Sequence, residues 1–149
     1  MGASENKLKK PSDASLPSLP DPLVFFTDAN LGRYIIPSAL RAAGMEVRTH
    51  DQLFAAGTPD AKWLRQVGQR GWIVLTKDTR IRYRANETNA LFRAKARAFV
   101  LTARGDLKGE EIGAVFVKAL PAIKKLCAEA KPPFIAHVTR EGKVVLVKT

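Results

Sequence analysis

Residues 72–78 read Trp72-Ile73-Val74-Leu75-Thr76-Lys77-Asp78, an almost unbroken apolar, β-rich run that ends in a lysine and an acid. A strand with one face in water alternates apolar and polar side chains. A continuous run therefore describes a strand buried on both faces, as in the centre of a parallel sheet. The same signature occurs earlier, where Leu23-Val24-Phe25-Phe26-Thr27 is followed directly by Asp28. Two central strands, each closing on an aspartate, set the frame for the rest of the chain.

Working outward, Asn30 is placed to cap a helix that carries Leu31, Tyr34, Ile35, Ala39 and Ala42 at helical spacing as far as Gly44, with Pro37 as a kink. Residues 45–49 alternate like a second strand, and residues 50–57 read as a polar, glycine-containing loop. Thr58-Pro59-Asp60 is a helix start: a cap, a proline at the first helical position, and an acid where the helix dipole favours negative charge. That helix turns Trp63, Leu64 and Val67 inward and breaks at Gly71. Beyond Asp78, residues 79–95 are polar and basic with a weak helical signal over 86–96, and residues 98–102 form a fourth strand. Residues 108–128 keep the spacing of a long amphipathic helix with Pro121 as a kink. After Lys131-Pro132-Pro133, residues 134–139 and 143–147 form a hairpin turning at Arg140-Glu141-Gly142. Alternating strands and helices predict an α/β fold: a mostly parallel sheet with helices on its faces and a C-terminal β-hairpin.

A chain of 149 residues suits one domain. Residues 1–21, dominated by Ser, Pro and Lys, read as a mobile tail, and residues 22–149 as the domain. The formal net charge is +11, from 25 Lys and Arg against 14 Asp and Glu, which makes a polyanion such as nucleic acid the first partner to consider. Cys127 is the single cysteine, so neither an intramolecular disulfide nor a thiolate metal cluster can form; it reads as a core residue in a reducing compartment. No stretch has the length of a membrane span or the pattern of a signal peptide, and Asn6 stands where a myristoylation pattern asks for Ser or Thr. The expectation is a cytoplasmic protein with no membrane partner.

In open parallel sheets ligands bind beyond the carboxyl ends of the strands, where Asp28 and Asp78 fall. Asp60 opens a helix that can start at the same rim. Taken singly, each acid has an ordinary structural use in a loop, a helix start or a turn. Together, without His or Cys, they match the oxygen-donor preference of a hard cation such as Mg²⁺ or Mn²⁺, and acids flanked by Arg and Lys suit phosphodiester hydrolysis. Arg80, Arg82, Arg84, Arg93, Lys95 and Arg97 form the densest basic tract, with Tyr83 among them as a stacking surface for an unpaired base. Asn30 and Lys77 are further candidates for substrate contact. Asp51, in the loop after the second strand, is a candidate additional acid. His50 and His137 are too isolated to build a site. No G-x-G-x-x-G or G-x-x-x-x-G-K-[ST] loop follows any strand, which argues against a nucleotide-cofactor enzyme. The paired acids of a phospho-receiver are missing too, because Ala29-Asn30 follows Asp28.

In this order, FFTDANLG, GTPDAKWL and WIVLTKDTRIR resemble a bacterial PIN-like family related to VapC-type toxins, over about residues 23–147. The resemblance implies a three-layer α/β/α sandwich and cleavage of RNA that depends on Mg²⁺ or Mn²⁺. It also implies the toxin role of a type II toxin-antitoxin pair, with a cognate antitoxin as partner; a homodimer is compatible with it. The acids carried over as metal ligands and catalytic residues are Asp28, Asp60 and Asp78, and Asn30, Lys77, Arg80, Arg82 and Arg84 are the substrate-binding candidates. Many relatives carry a fourth acid soon after the third, but here Thr79 and Arg80 follow Asp78. That departure keeps a catalytically inactive RNA-binding module as the alternative.

Overall fold

The computed structural model describes residues 19–149 apart from 21 and 104. The predicted tail therefore lies outside the described residues except at 19 and 20, and Leu19 packs against the core. The strands are β1 (Val24–Thr27), β2 (Glu46–Thr49), β3 (Ile73–Thr76), β4 (Arg97–Leu101), β5 (Phe134–Val138) and β6 (Val144–Lys148). The helices are α1 (Ile35–Ala42), α2 (His50–Leu53), α3 (Asp60–Gln69), α4 (Ala85–Arg93) and α5 (Gly109–Glu129). Short 3-10 turns at Ala29–Leu31 and Thr79–Arg82 follow β1 and β3. All six strands form one sheet in the order β2-β1-β3-β4-β5-β6, parallel except for the final β5–β6 pair.

The burial of β1, β3 and β4 along their whole lengths explains why these segments read as unbroken apolar runs. One face of the sheet carries Phe25, Leu75 and Phe99 against Ile36 and Leu40 of α1 and Ile112, Phe116 and Ile123 of α5. The other carries Phe26, Val74 and Val100 against Trp63, Leu64 and Val67 of α3 and Leu91 of α4. The result is the expected α/β/α sandwich. At Gly68 of α3 an added Cβ would lie 2.6 Å from the Cβ of Ala94, so glycine is what lets this helix approach the end of α4. Among the described residues no helix is long and apolar enough to cross a membrane.

Several local expectations are corrected. Asn30 does not cap α1: Asp28 accepts from the Ala29 N–H and opens the 3-10 turn, and α1 begins at Ile35, four residues past the end of that turn at Leu31. Tyr34 and Ile35 are exposed, and Ile36, Pro37 and Leu40 form the inner face. Pro37 lies in the first turn of α1, where its missing N–H has no helical acceptor to lose, so it belongs to the helix start. Residues 50–53, expected as loop, form the one-turn helix α2, and the Thr49 N–H before it donates to Gln52 Oε1 at 3.0 Å. Pro59 rather than Thr58 precedes α3; the Thr58 hydroxyl donates to the Ala55 carbonyl instead. Helix α5 runs through Pro121. Cys127 is buried in the core as expected, its thiol pushed up to about 11 by burial.

Candidate active site

From β1 the chain crosses to β2 on one side and then returns to β3 on the other, so the crossovers diverge at the β1–β3 boundary. Such a reversal leaves a crevice beyond the strand ends. Asp28 is the first residue after β1, and its N–H donates to the Leu75 carbonyl at 3.0 Å, which ties it to β3. Asp78 is the second residue after β3. Asp60 is the first residue of α3, which packs over β1 and β3. Asp28, Asp60 and Asp78 line a single cleft of about 490 Å³, together with Ala29, Asn30, Lys77, Thr79 and Arg80.

Each acid is held differently. Asp28 is only 8% exposed. Its Oδ2 accepts from Thr76 Oγ1 at 2.8 Å and its Oδ1 from the Ala29 N–H at 2.6 Å. Burial raises its carboxyl above the usual aspartate range; the Thr76 and Ala29 donors pull the other way, the charge of Asp60 adds to the rise, and His50 opposes it. Oδ1 of Asp60 accepts from the indole N–H of Trp63 at 3.0 Å, one helical turn on. Asp78 accepts from the Arg80 N–H at 3.1 Å and Nε at 3.3 Å through Oδ1, and from Arg84 Nη1 at 3.3 Å through Oδ2. Arg84 Nη1 also reaches Glu87 Oε1 at 3.2 Å, so one guanidinium bridges two acids.

Thr76 is the hub of this network. Its hydroxyl donates to Asp28 while accepting from Asn30 Nδ2 and the Asp78 N–H, both at 3.1 Å. The carboxamide oxygen of Asn30 accepts from the Lys77 N–H at 3.3 Å, so Asn30 stitches the turn after β1 to the end of β3. Thr76, Trp63 and Glu87 are the members of the site that sequence reasoning missed. Strand alternation from the buried Val74 would have flagged Thr76 as a buried hydroxyl beside Asp78, and the spacing of Arg84 and Glu87 on a helix start would have flagged that pair.

The donor set is chemically consistent with a hard divalent cation. It offers carboxylate oxygens without sulfur, and Asp28 and Asp60 repel each other across the cleft, a repulsion that a cation relieves. Among the described residues no three acid, histidine or cysteine side chains already converge on one point. A cation that keeps several waters and takes one or two carboxylates directly does not need such a cage.

The remaining sequence candidates separate. Asn30, Lys77 and Arg80 are at the cleft, and Arg84 is turned onto Asp78. The side chain of Arg82 lies outside the described residues. Tyr83 is 72% exposed beside them. Arg97 does not belong to a surface tract: it opens β4, is 6% exposed, and burial lowers its pKa from the usual arginine value. Asp51 does not reach the acids either. It lies in the adjoining pocket with His50 and Phe54, 3.9 Å from Arg33. His50 is packed among Phe26, Phe54 and Trp63.

A parallel sheet sandwiched by helices, with acids gathered at its reversal, is consistent with a PIN-like protein, and the chain belongs to that family: the model described as a PIN like domain matches residues 23–103, which span β1 to β4 and all three acids. The particular similarity is to the protein named "Putative ribonuclease VapC45" of Mycobacterium tuberculosis (strain ATCC 25618 / H37Rv). The two are 32% identical over 126 residues, covering 82% of this chain and 89% of that protein. No solved structure matches the chain significantly.

Proposed function

We propose that this protein is a divalent-metal-dependent endoribonuclease, using Mg²⁺ or Mn²⁺, and the toxin of a type II toxin-antitoxin pair acting in the cytoplasm. The observation that carries this reading is the convergence of Asp28, Asp60 and Asp78 with Lys77 and Arg80 on one cleft at the sheet's reversal. The similarity to "Putative ribonuclease VapC45" supports RNA as the substrate and an antitoxin as the partner.

Within that reading Asp28, Asp60 and Asp78 are the residues that would hold the cation, one or two of them directly and the rest through its waters. When bound, it supplies charge neutralisation at the scissile phosphate and acidifies the attacking water. Lys77 and Arg80 attract the phosphodiester and offset its charge. Asn30 and Thr76 position Asp28 and Asp78 relative to each other, because their hydrogen bonds join the two strand ends. Arg84 orients Asp78 from behind.

The test is cleavage of total RNA by the wild type and by Asp28→Asn and Asp78→Asn, with Mg²⁺, Mn²⁺ or EDTA. Cleavage that requires both acids and metal is expected. One observation favours a second reading, an inactive RNA-binding module: both oxygens of Asp78 are engaged by Arg80 and Arg84, and position 80 holds a cation rather than an acid. RNA that is bound but stays intact with every metal would establish that reading.

A further inference from the structure

Away from the acids, α3 and α4 leave a groove of about 470 Å³ between them, lined by Ala61, Arg65, Gln69, Asn86, Asn89, Ala90, Arg93 and Ala94. Its composition is one-sided. The lining is three alanines, two guanidinium groups and three carboxamides, with no carboxylate. Arg65, Gln69, Asn86, Asn89 and Arg93 are all exposed. Guanidinium and carboxamide donors without an opposing acid are the equipment of a surface that contacts phosphate and sugar.

The way these cations are committed separates the groove from the cleft. Arg80 and Arg84 are paired with Asp78, and Arg33 and Arg48 with Asp51 and Glu46. Among the described residues neither Arg65 nor Arg93 is in an ion pair. Their charge is therefore available to an anion without first breaking an internal bridge. The groove is also continuous with the site in chain terms. Helix α3 begins at Asp60, next to Ala61, and α4 begins immediately after Arg84, which holds Asp78. A single-stranded polyanion leaving the cleft along these helix starts meets Arg65 and Arg93 further along the same two helices.

We propose that the α3–α4 groove binds the sugar-phosphate backbone of the RNA strand beyond the cleavage point, with Arg65 and Arg93 as its phosphate contacts. This rests on the ribonuclease reading for its ligand, but it is a statement about binding and is tested without cleavage.

The experiment measures binding of a fluorescent single-stranded oligouridine of roughly 15 nucleotides in EDTA, across a salt series, for the full chain. Three double variants are compared with the wild type: Arg65→Glu with Arg93→Glu, the charge-preserving Arg65→Lys with Arg93→Lys, and Lys124→Glu with Lys125→Glu on the exposed face of α5, across the sheet. The first and third make the same change in net charge. Loss of two phosphate contacts weakens binding by roughly tenfold or more near 0.1 M salt and lowers the salt slope by about 1.4, at about 0.7 per contact on a single strand. That result for the groove variant, with the lysine-substituted groove and the α5 variant close to wild type, is expected. Equal weakening by the groove and α5 reversals, or no change in either, overturns the groove. Groove-dependent binding by a protein that never cleaves RNA would end the nuclease reading and leave the groove standing.

Discussion

The hydroxyl of Thr76, the last residue of β3, donates to Oδ2 of Asp28, the first residue beyond β1, across 2.8 Å. This one bond joins the two strand ends between which the fold opens its crevice, and it gives a buried carboxylate a donor in place of water. The same hydroxyl accepts from Asn30 and from the backbone of Asp78, so the geometry of two acids depends on one oxygen.

Thr76→Val keeps the shape of the side chain and removes that oxygen. Asp28 loses a donor that lowers its pKa, so its carboxyl rises further, while the Asn30 amide and the Asp78 N–H lose their acceptor. A hydrogen bond to a charged group is worth about 1.5–3 kcal/mol. The expected outcome is a fall in kcat/KM of roughly tenfold or more, with the acid limb of its pH profile moved to higher pH. A profile that keeps its acid limb would show that Asp28 is not the group that must ionise.

Asp28→Asn tests the same carboxylate through stability. The folded-state pKa of Asp28 is raised above its ordinary 3.8, chiefly by burial, so the charged form costs the folded protein stability. As pH rises from the ordinary value through the raised one, the unfolded chain releases its proton first and the wild type loses stability; below both values the cost is gone. The variant has no such cost. Its melting temperature relative to wild type should therefore fall as pH is lowered from about 7 toward 4. Mg²⁺ should raise the melting temperature of the wild type alone, by the equivalent of about 2.7 kcal/mol at a hundred times its Kd. A pH-independent difference between the two proteins would contradict the burial argument.

The sheet was legible because β1, β3 and β4 are buried on both faces, which leaves unbroken apolar runs in the sequence. Asp28 and Asp78 were legible for the same reason, as polar residues ending such runs. Short-range features competed less clearly. Asn30 looks like a cap in sequence, but Asp28 takes the adjacent turn N–H and frees Asn30 to bond Thr76 and Lys77. Arg97 looks like one more cation in a basic tract, yet it falls at the first residue of a buried strand. Asp51 looks like a spare acid, but α2 turns it toward Arg33. In each case a contact distant in sequence decides the role, and spacing alone does not carry it.

Arg84 separates orientation from charge. Its Nη1 bridges Asp78 and Glu87, so Arg84→Ala frees Oδ2 of Asp78, leaves Oδ1 with Arg80, and removes a positive charge beside the acid. Loss of orientation should lower kcat by about tenfold, in the range that outer-shell partners of metal ligands show. Loss of the competing cation should lower the Mg²⁺ concentration for half-maximal activity. A Mg²⁺ titration at saturating RNA reads both. If kcat and the Mg²⁺ midpoint are both unchanged, Arg84 does not position Asp78, and its partnership with Glu87 is only a support for the start of α4.

Gly68→Ala addresses how α3, which carries Asp60, is held against the end of α4. In the middle of a helix this change alone would stabilise by about 1 kcal/mol. Here the new Cβ would stand 2.6 Å from the Cβ of Ala94 and 3.0 Å from both the Ala94 carbonyl oxygen and the Cβ of Ala96. Two of these atoms are methyl groups and one is backbone, so none can swing aside. The end of α4 has to move away from α3, and overpacking of this kind costs about 1–3 kcal/mol. The clash outweighs the propensity gain, and the melting temperature should fall. Since α3 carries Asp60 and the turn before α4 carries Arg84, the displacement should also lower RNA cleavage measured well below the melting temperature. An alanine variant as stable as the wild type would mean that α4 has slack at Ala94, and that the close approach of the two helices does not set the cleft.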